Sequence, residues 1–100
     1  MAFQRIQSTN GFSSQVKSKI DNKKYLISTA KHPSGSWETA IFKINFWGST
    51  NPFEPLRISK RFDTYEDAEK EHSWCEEAVE KSPKVEWENT SGKNIIFTNQ

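Results

Sequence analysis

One hundred residues suit a single domain and leave no room for a second. With 33% hydrophobic and 13% aromatic residues, the core must be small and filled by a few large side chains, while a single cysteine excludes an intramolecular disulfide. The formal net charge of +1 hides a division, with ten bases and three acids as far as Arg61 and ten acids and four lysines beyond it, so the chain is expected to be an electrostatic dipole.

Residues 1–23 are rich in Ser, Gln, Asn and Lys, with apolar residues (Phe3, Ile6, Phe12, Val16, Ile20) too scattered to hold a period. A polar, flexible N-terminal arm is expected here, with an added edge strand as the alternative. Met1–Asn10 lacks the roughly 7 to 15 residue apolar run of a secretion signal, and no run approaches the roughly 20 residues that span a bilayer. The expectation is a cytoplasmic protein that does not engage a membrane.

The expected domain occupies residues 24–83. Tyr25, Leu26 and Ile27 open a strand that stops at the turn Pro33-Ser34-Gly35-Ser36. From Trp37 to Trp47 the chain alternates, Ala40, Phe42, Ile44 and Phe46 against Thr39, Ile41, Lys43 and Asn45, the period of a half-buried strand. Pro52 and Pro55 break it into an aromatic loop holding Trp47 and Phe53. A third strand then sets Leu56, Ile58 and Phe62 inward and Arg57, Ser59 and Arg61 outward.

At Asp63-Thr64 the period changes from 2 to 3.6. Thr64 with Asp67 resembles a capping box, and Glu66, Asp67 and Glu69 suit the positive end of a helix dipole. Tyr65, Ala68, His72, Cys75 and Val79 form one stripe, and Ser82-Pro83 ends the helix. The tail, residues 84–100, could add a strand or hairpin through Val85 and Trp87 or Ile95-Ile96-Phe97. The predicted fold is α+β: a three-stranded antiparallel sheet in the order β-β-β-α, with one acidic helix on one face.

The strongest candidate for chemistry is His72 with Cys75, three residues apart on the helix. A nucleophilic thiolate needs a helix N-terminus or neighbouring cations, whereas Cys75 lies mid-helix among Glu71, Glu76 and Glu77, which raise its pKa. As a metal site the cluster lacks a fourth ligand at useful spacing. Glu66, Glu69, Glu76 and Glu80 fall mostly off the stripe and are expected in solvent. No glycine-rich loop opens a helix. The expectation is therefore no enzyme, no metal and no cofactor, with His72 and Cys75 facing the core.

Two binding readings remain. In the first, a protein partner is engaged through Trp47, Phe53 and Trp87, since exposed tryptophan is costly unless it anchors something. In the second, the sheet face opposite the helix carries Lys43, Asn45, Arg57 and Arg61 and meets nucleic acid. The exposed sheet edges also make a homodimer conceivable.

Tyr25-Leu-Ile-Ser-Thr29, Trp37-Glu-Thr-Ala-Ile-Phe42 and Arg61-Phe-Asp-Thr-Tyr-Glu-Asp-Ala-Glu-Lys-Glu-His72 together resemble a family of small phage and prophage proteins over residues 24–80. The resemblance implies an accessory factor of a phage or mobile element and no particular activity. The order of elements is also similar to three-strand-plus-helix DNA-binding domains, a likeness of topology alone.

Overall fold

Phe12, Ser14 and Val16 alternate with Ser13, Gln15 and Lys17, and this period of 2 makes a strand of a segment that composition alone marks as an arm. The structure, a computed structural model, describes residues 3–45, 48, 50 and 54–88. Among them, strands β1 (Arg5–Ser8), β2 (Gly11–Lys17), β3 (Lys24–Lys31), β4 (Trp37–Lys43) and β5 (Arg57–Ile58) form one antiparallel sheet in the order β1-β2-β3-β4-β5. Helix α1 (Tyr65–Lys81) crosses β2, β3 and β4, and the short helix α2 (Lys84–Glu88) follows it. The class is α+β, as expected, but the sheet has five strands rather than three. Residues 5–17, predicted as a flexible arm, supply the two extra strands.

The β1–β2 turn explains why that hairpin closes so tightly. Ser8 pairs with Gly11, and the Gly11 α-carbon lies against the next strand so closely that a Cβ there would sit 2.0 Å from the Thr29 carbonyl oxygen. Only glycine fits this close approach.

Helix α1 starts and stops where the sequence signals place it. The Thr64 side chain accepts a hydrogen bond from the Asp67 amide at 3.1 Å, and Ser82 is the C-cap. The helix buries Ala68, Glu71, His72, Cys75, Glu76, Ala78 and Val79. Four of these are polar or ionisable, so the helix needs a polar counterpart as well as an apolar one.

That requirement reverses the expected faces of the sheet. Phe12, Ser14, Val16, Tyr25, Ile27, Thr29, Thr39, Ile41, Arg57 and Ser59 all face α1 and are buried. Ala40, Phe42 and Ile58, expected inside, lie on the outer face. Arg57 and Ser59, expected outside, lie beneath the helix, because their polar groups pair with the polar half of its stripe. Phe62 is buried as expected, bridging to Trp37 beyond the end of β5.

The apolar part of the core is Val16, Tyr25, Ile27, Ile41, Cys75, Ala78, Val79 and Trp87, with Phe3, Leu56 and Trp74 packed against it. Trp87 is 2% exposed and meets Tyr25 edge-on, ring centroids 5.4 Å apart. The predicted strand or hairpin at the start of the tail is instead α2, held down by this tryptophan. The remainder of the tail, residues 89–100, lies outside the described residues. No described helix is long and apolar enough to cross a membrane.

Candidate functional site

Three places in the described structure gather chemically capable side chains: the polar layer under α1, the outer face of the sheet, and a groove at one end of it. The polar layer contains the pair that the sequence singles out. His72 projects from α1 between β2 and β3, its Nε2 2.9 Å from Ser14 Oγ and its Nδ1 2.7 Å from Thr29 Oγ1. Thr29 Oγ1 is in turn 2.7 Å from Thr39 Oγ1. Ser14 donates to Glu76 Oε2 at 2.7 Å, and Arg5 binds both oxygens of Glu76, Nε at 3.1 Å and Nη2 at 2.8 Å.

The proton positions follow from these contacts. Glu76 as a carboxylate can only accept, so the single Ser14 proton goes to it and Ser14 must accept from His72 Nε2–H. A neutral ring then presents a bare Nδ1, which accepts from Thr29, and Thr29 accepts from Thr39. Every bond in the chain points toward Glu76, and the tautomer is assigned from this network.

Electrostatics agrees with that assignment. Burial pushes the His72 pKa below its ordinary value, with hydrogen bonding to Glu76 opposing it only in part, so the ring is neutral near pH 7. Burial by itself would raise the Glu76 pKa. The hydrogen bonds from His72, Arg5 and Ser14 outweigh it and hold the carboxyl at about 2. Glu76 was expected in solvent, yet it is 3% exposed.

Beside this chain lies a second buried pair. Arg57 Nη1 is 2.6 Å from Glu71 Oε2, with side chains 1% and 5% exposed, and the guanidinium stacks 4.7 Å from the Trp74 ring centroid. Cys75 Sγ lies 3.3 Å from Arg57 Nη1 and 3.7 Å from Glu71 Oε2. Burial first, and the Glu71 charge second, push the Cys75 thiol well above its ordinary pKa, so it stays protonated. His72 and Cys75 therefore share one buried face, as their spacing predicts.

The 2.9 Å separation of Ser14 and His72 is that of a nucleophile and its base. The proton nevertheless runs the wrong way for that role, because serine gives it to Glu76, and both side chains are sealed under the helix. Among the described residues no group of three or more His, Cys, Asp and Glu could hold a metal ion.

The outer sheet face has a different character. Ile6, Ser13, Ser28, Ala40 and Ile58 are successive register partners and form one row across all five strands. Gln15, Leu26 and Phe42 form the next row. Ile6 is 67% and Ile58 50% exposed, while Leu26, Ala40, Phe42 and Ile44 are half-buried. Both helices pack on the opposite side.

The groove, of about 890 Å³, opens where β3 begins and β4 ends. Lys23, Lys24 and Lys43 line it together with Asn22, Asn45 and Glu54. Of the residues predicted for nucleic acid, Lys43 and Asn45 thus come together. Arg57 does not join them, because it is buried against Glu71. Arg61 is exposed but directed toward Glu38, at 3.9 Å. Of those predicted for a protein partner, Trp87 is buried in the core, and Trp47 and Phe53 lie outside the described residues. Sequence reasoning passed over Lys23 in the groove and Ile6 on the outer face. For the lysine the doublet Lys23-Lys24 at a strand start was the available signal.

Neither a family model nor a curated protein nor a solved structure matches this chain.

Proposed function

We propose that this domain is a non-catalytic binding module that engages a protein partner through the outer face of its sheet. The observation that carries the reading is the cluster of Ala40 and Ile58 beside Leu26 and Phe42, with Ile6 on the same face beyond Ser28 and Ser13: partly exposed apolar side chains that no described element covers. Apolar side chains gathered in water on one sheet face are unfavourable and mark a contact surface when polar groups flank them. Here Gln15 and Lys17 lie at one end and Glu38 at the other, giving a partner both an apolar centre and polar points of register. The absence of catalysis is supported by the burial of Ser14, His72 and Cys75, which leaves the groups best suited to reaction without access to a substrate.

The test replaces side chains that the fold does not need. Ile6→Asp with Ile58→Asp places charge on this face at positions already in solvent, so thermal unfolding should be little changed. Affinity capture from an extract of the source cells, followed by cross-linking, should recover a protein joined to the outer face in the wild type and lose it in the double variant. Equal capture by both proteins, or cross-links confined to α1, would refute the reading.

A further inference from the structure

The groove is built in a way that the apolar outer face does not explain. Antiparallel pairing sets Lys24 directly opposite Lys17, and the Ile44 amide donates to the Lys24 carbonyl at 3.0 Å, which brings Lys43 beside the same strand end. Neighbouring strands are about 4.8 Å apart, so the Lys17 and Lys24 side chains leave the sheet side by side, and like charges facing across a ladder are unfavourable; Lys43, opposite Tyr25, leaves the same strand end from the other face. The acid of the same turn, Asp21, is charged and interacts with Lys23. Asp21 accepts from the Lys23 amide at 2.9 Å and from the Tyr25 hydroxyl at 2.6 Å. Those bonds outweigh the effect of its partial burial and hold its carboxyl below its ordinary pKa.

The turn that carries Lys23 is rigid as well. Asn22 has φ 64°, Ser18 accepts from the Ile20 and Asp21 side of the turn through its hydroxyl, and the Ser18 amide donates to the Lys23 carbonyl at 2.9 Å. Three lysines from two chain segments thus line one concave space, and Glu54 is the single acid among its described lining residues. Ile44 and Leu56 add apolar wall, and the amides of Gln15, Asn22 and Asn45 add donors and acceptors. The volume falls within the range of ligand sites, which spans roughly 300–1,000 Å³.

We infer that this groove binds a phosphate-bearing ligand of the nucleotide class, its phosphate oxygens among Lys23, Lys24 and Lys43 and its base against Ile44 and Leu56. The side-chain amides suit the edges of a base, and the lysines suit phosphate as point charges. The same chemistry comes from a free nucleotide or from one unit of a single strand. This inference stands apart from the outer-face reading, since it uses neither Ile6 nor Ile58.

Fluorescence anisotropy of a labelled oligothymidylate, with tripolyphosphate, ATP and polyglutamate as competitors, tests it on the full chain. Binding at 50 mM salt is expected, and three phosphate contacts on a single strand give a salt slope near 2, so affinity should fall about 20-fold by 200 mM. Lys24→Glu with Lys43→Glu should weaken binding at least ten-fold. Lys70→Glu, on the exposed side of α1, should not weaken it. The thermal midpoint of Lys24→Glu should be unchanged or higher, because the substitution removes the conflict with Lys17. Competition by ATP and tripolyphosphate assigns the site to free nucleotides, and binding of the oligonucleotide alone assigns it to strands; either supports the inference. Absence of all binding at 50 mM salt, retention by the double variant, or equal competition by polyglutamate would overturn it.

Discussion

Glu76→Gln isolates the charge at the end of the polar chain. Glutamine keeps the shape and one acceptor for Ser14 and Arg5, so the loss it causes is chiefly electrostatic. The wild-type carboxyl is held at about 2 against an ordinary value of 4.5, and a shift of that size corresponds to about 3 kcal/mol of folding stability near neutral pH. Its folded pKa is depressed, so this stability is fully present above pH 4.5 and disappears as pH falls toward 2. Urea unfolding at pH 7 should show the variant less stable by about that amount. Carboxyl-carbon NMR of the wild type should place the Glu76 midpoint near 2. A midpoint above 4, or a loss under about 1 kcal/mol, would refute the assignment of Glu76 as the charged terminus. His72 acts in the same direction from a higher pH: its folded pKa is also depressed, so the unfolded chain takes up a proton first as pH falls below 6.5, and acid destabilises the fold further.

Arg57→Ala should cost about 3–5 kcal/mol by leaving Glu71 buried without its cation, whereas Arg57→Met with Glu71→Leu should recover most of that loss in a double-mutant cycle. Gly11→Ala should lower stability by about 3 kcal/mol or more, read from urea midpoints, because its Cβ meets the Thr29 carbonyl rather than a side chain that could move. Cys75 should resist a thiol reagent such as DTNB in the native protein and react fully in denaturant, with native labelling limited by unfolding. Trp87→Ala should cost about 3–5 kcal/mol and release α2, seen as loss of helical circular dichroism at the midpoint of the remaining transition.

Much of the framework could be read before any coordinates. Pro33-Ser34-Gly35-Ser36 marked the β3–β4 turn, Thr64 and Asp67 marked the helix start, and the spacing of Ala68, His72, Cys75 and Val79 marked the buried stripe. The first two strands were missed because the inward positions of β2 include Ser14, whose buried hydroxyl reads as surface polarity. The sheet was turned over for a related reason. Thr39, Arg57 and Ser59 resemble a solvated face, and contacts distant along the chain, above all with Glu71, 14 residues beyond Arg57, make burial of that arginine favourable. Trp87 looked exposed in a polar tail, and its partner Tyr25 is distant along the chain. In the candidate groove, Lys43 and Asn45 were legible from alternation, but Lys23 and Lys24 join them only through a chain reversal that alternation does not encode.

The hydrogen-bonded line from Thr39 to Glu76 also constrains how the molecule can come into being. During synthesis the residues that complete it, His72 and Glu76, emerge after every strand has left the ribosome. Until they arrive, Ser14 has only water to bond with, Thr29 and Thr39 have water and each other, and the face they share stays wet. The inner face of the sheet is therefore dry and fully paired only with α1 over it, so the strands and the helix gain their lasting order together.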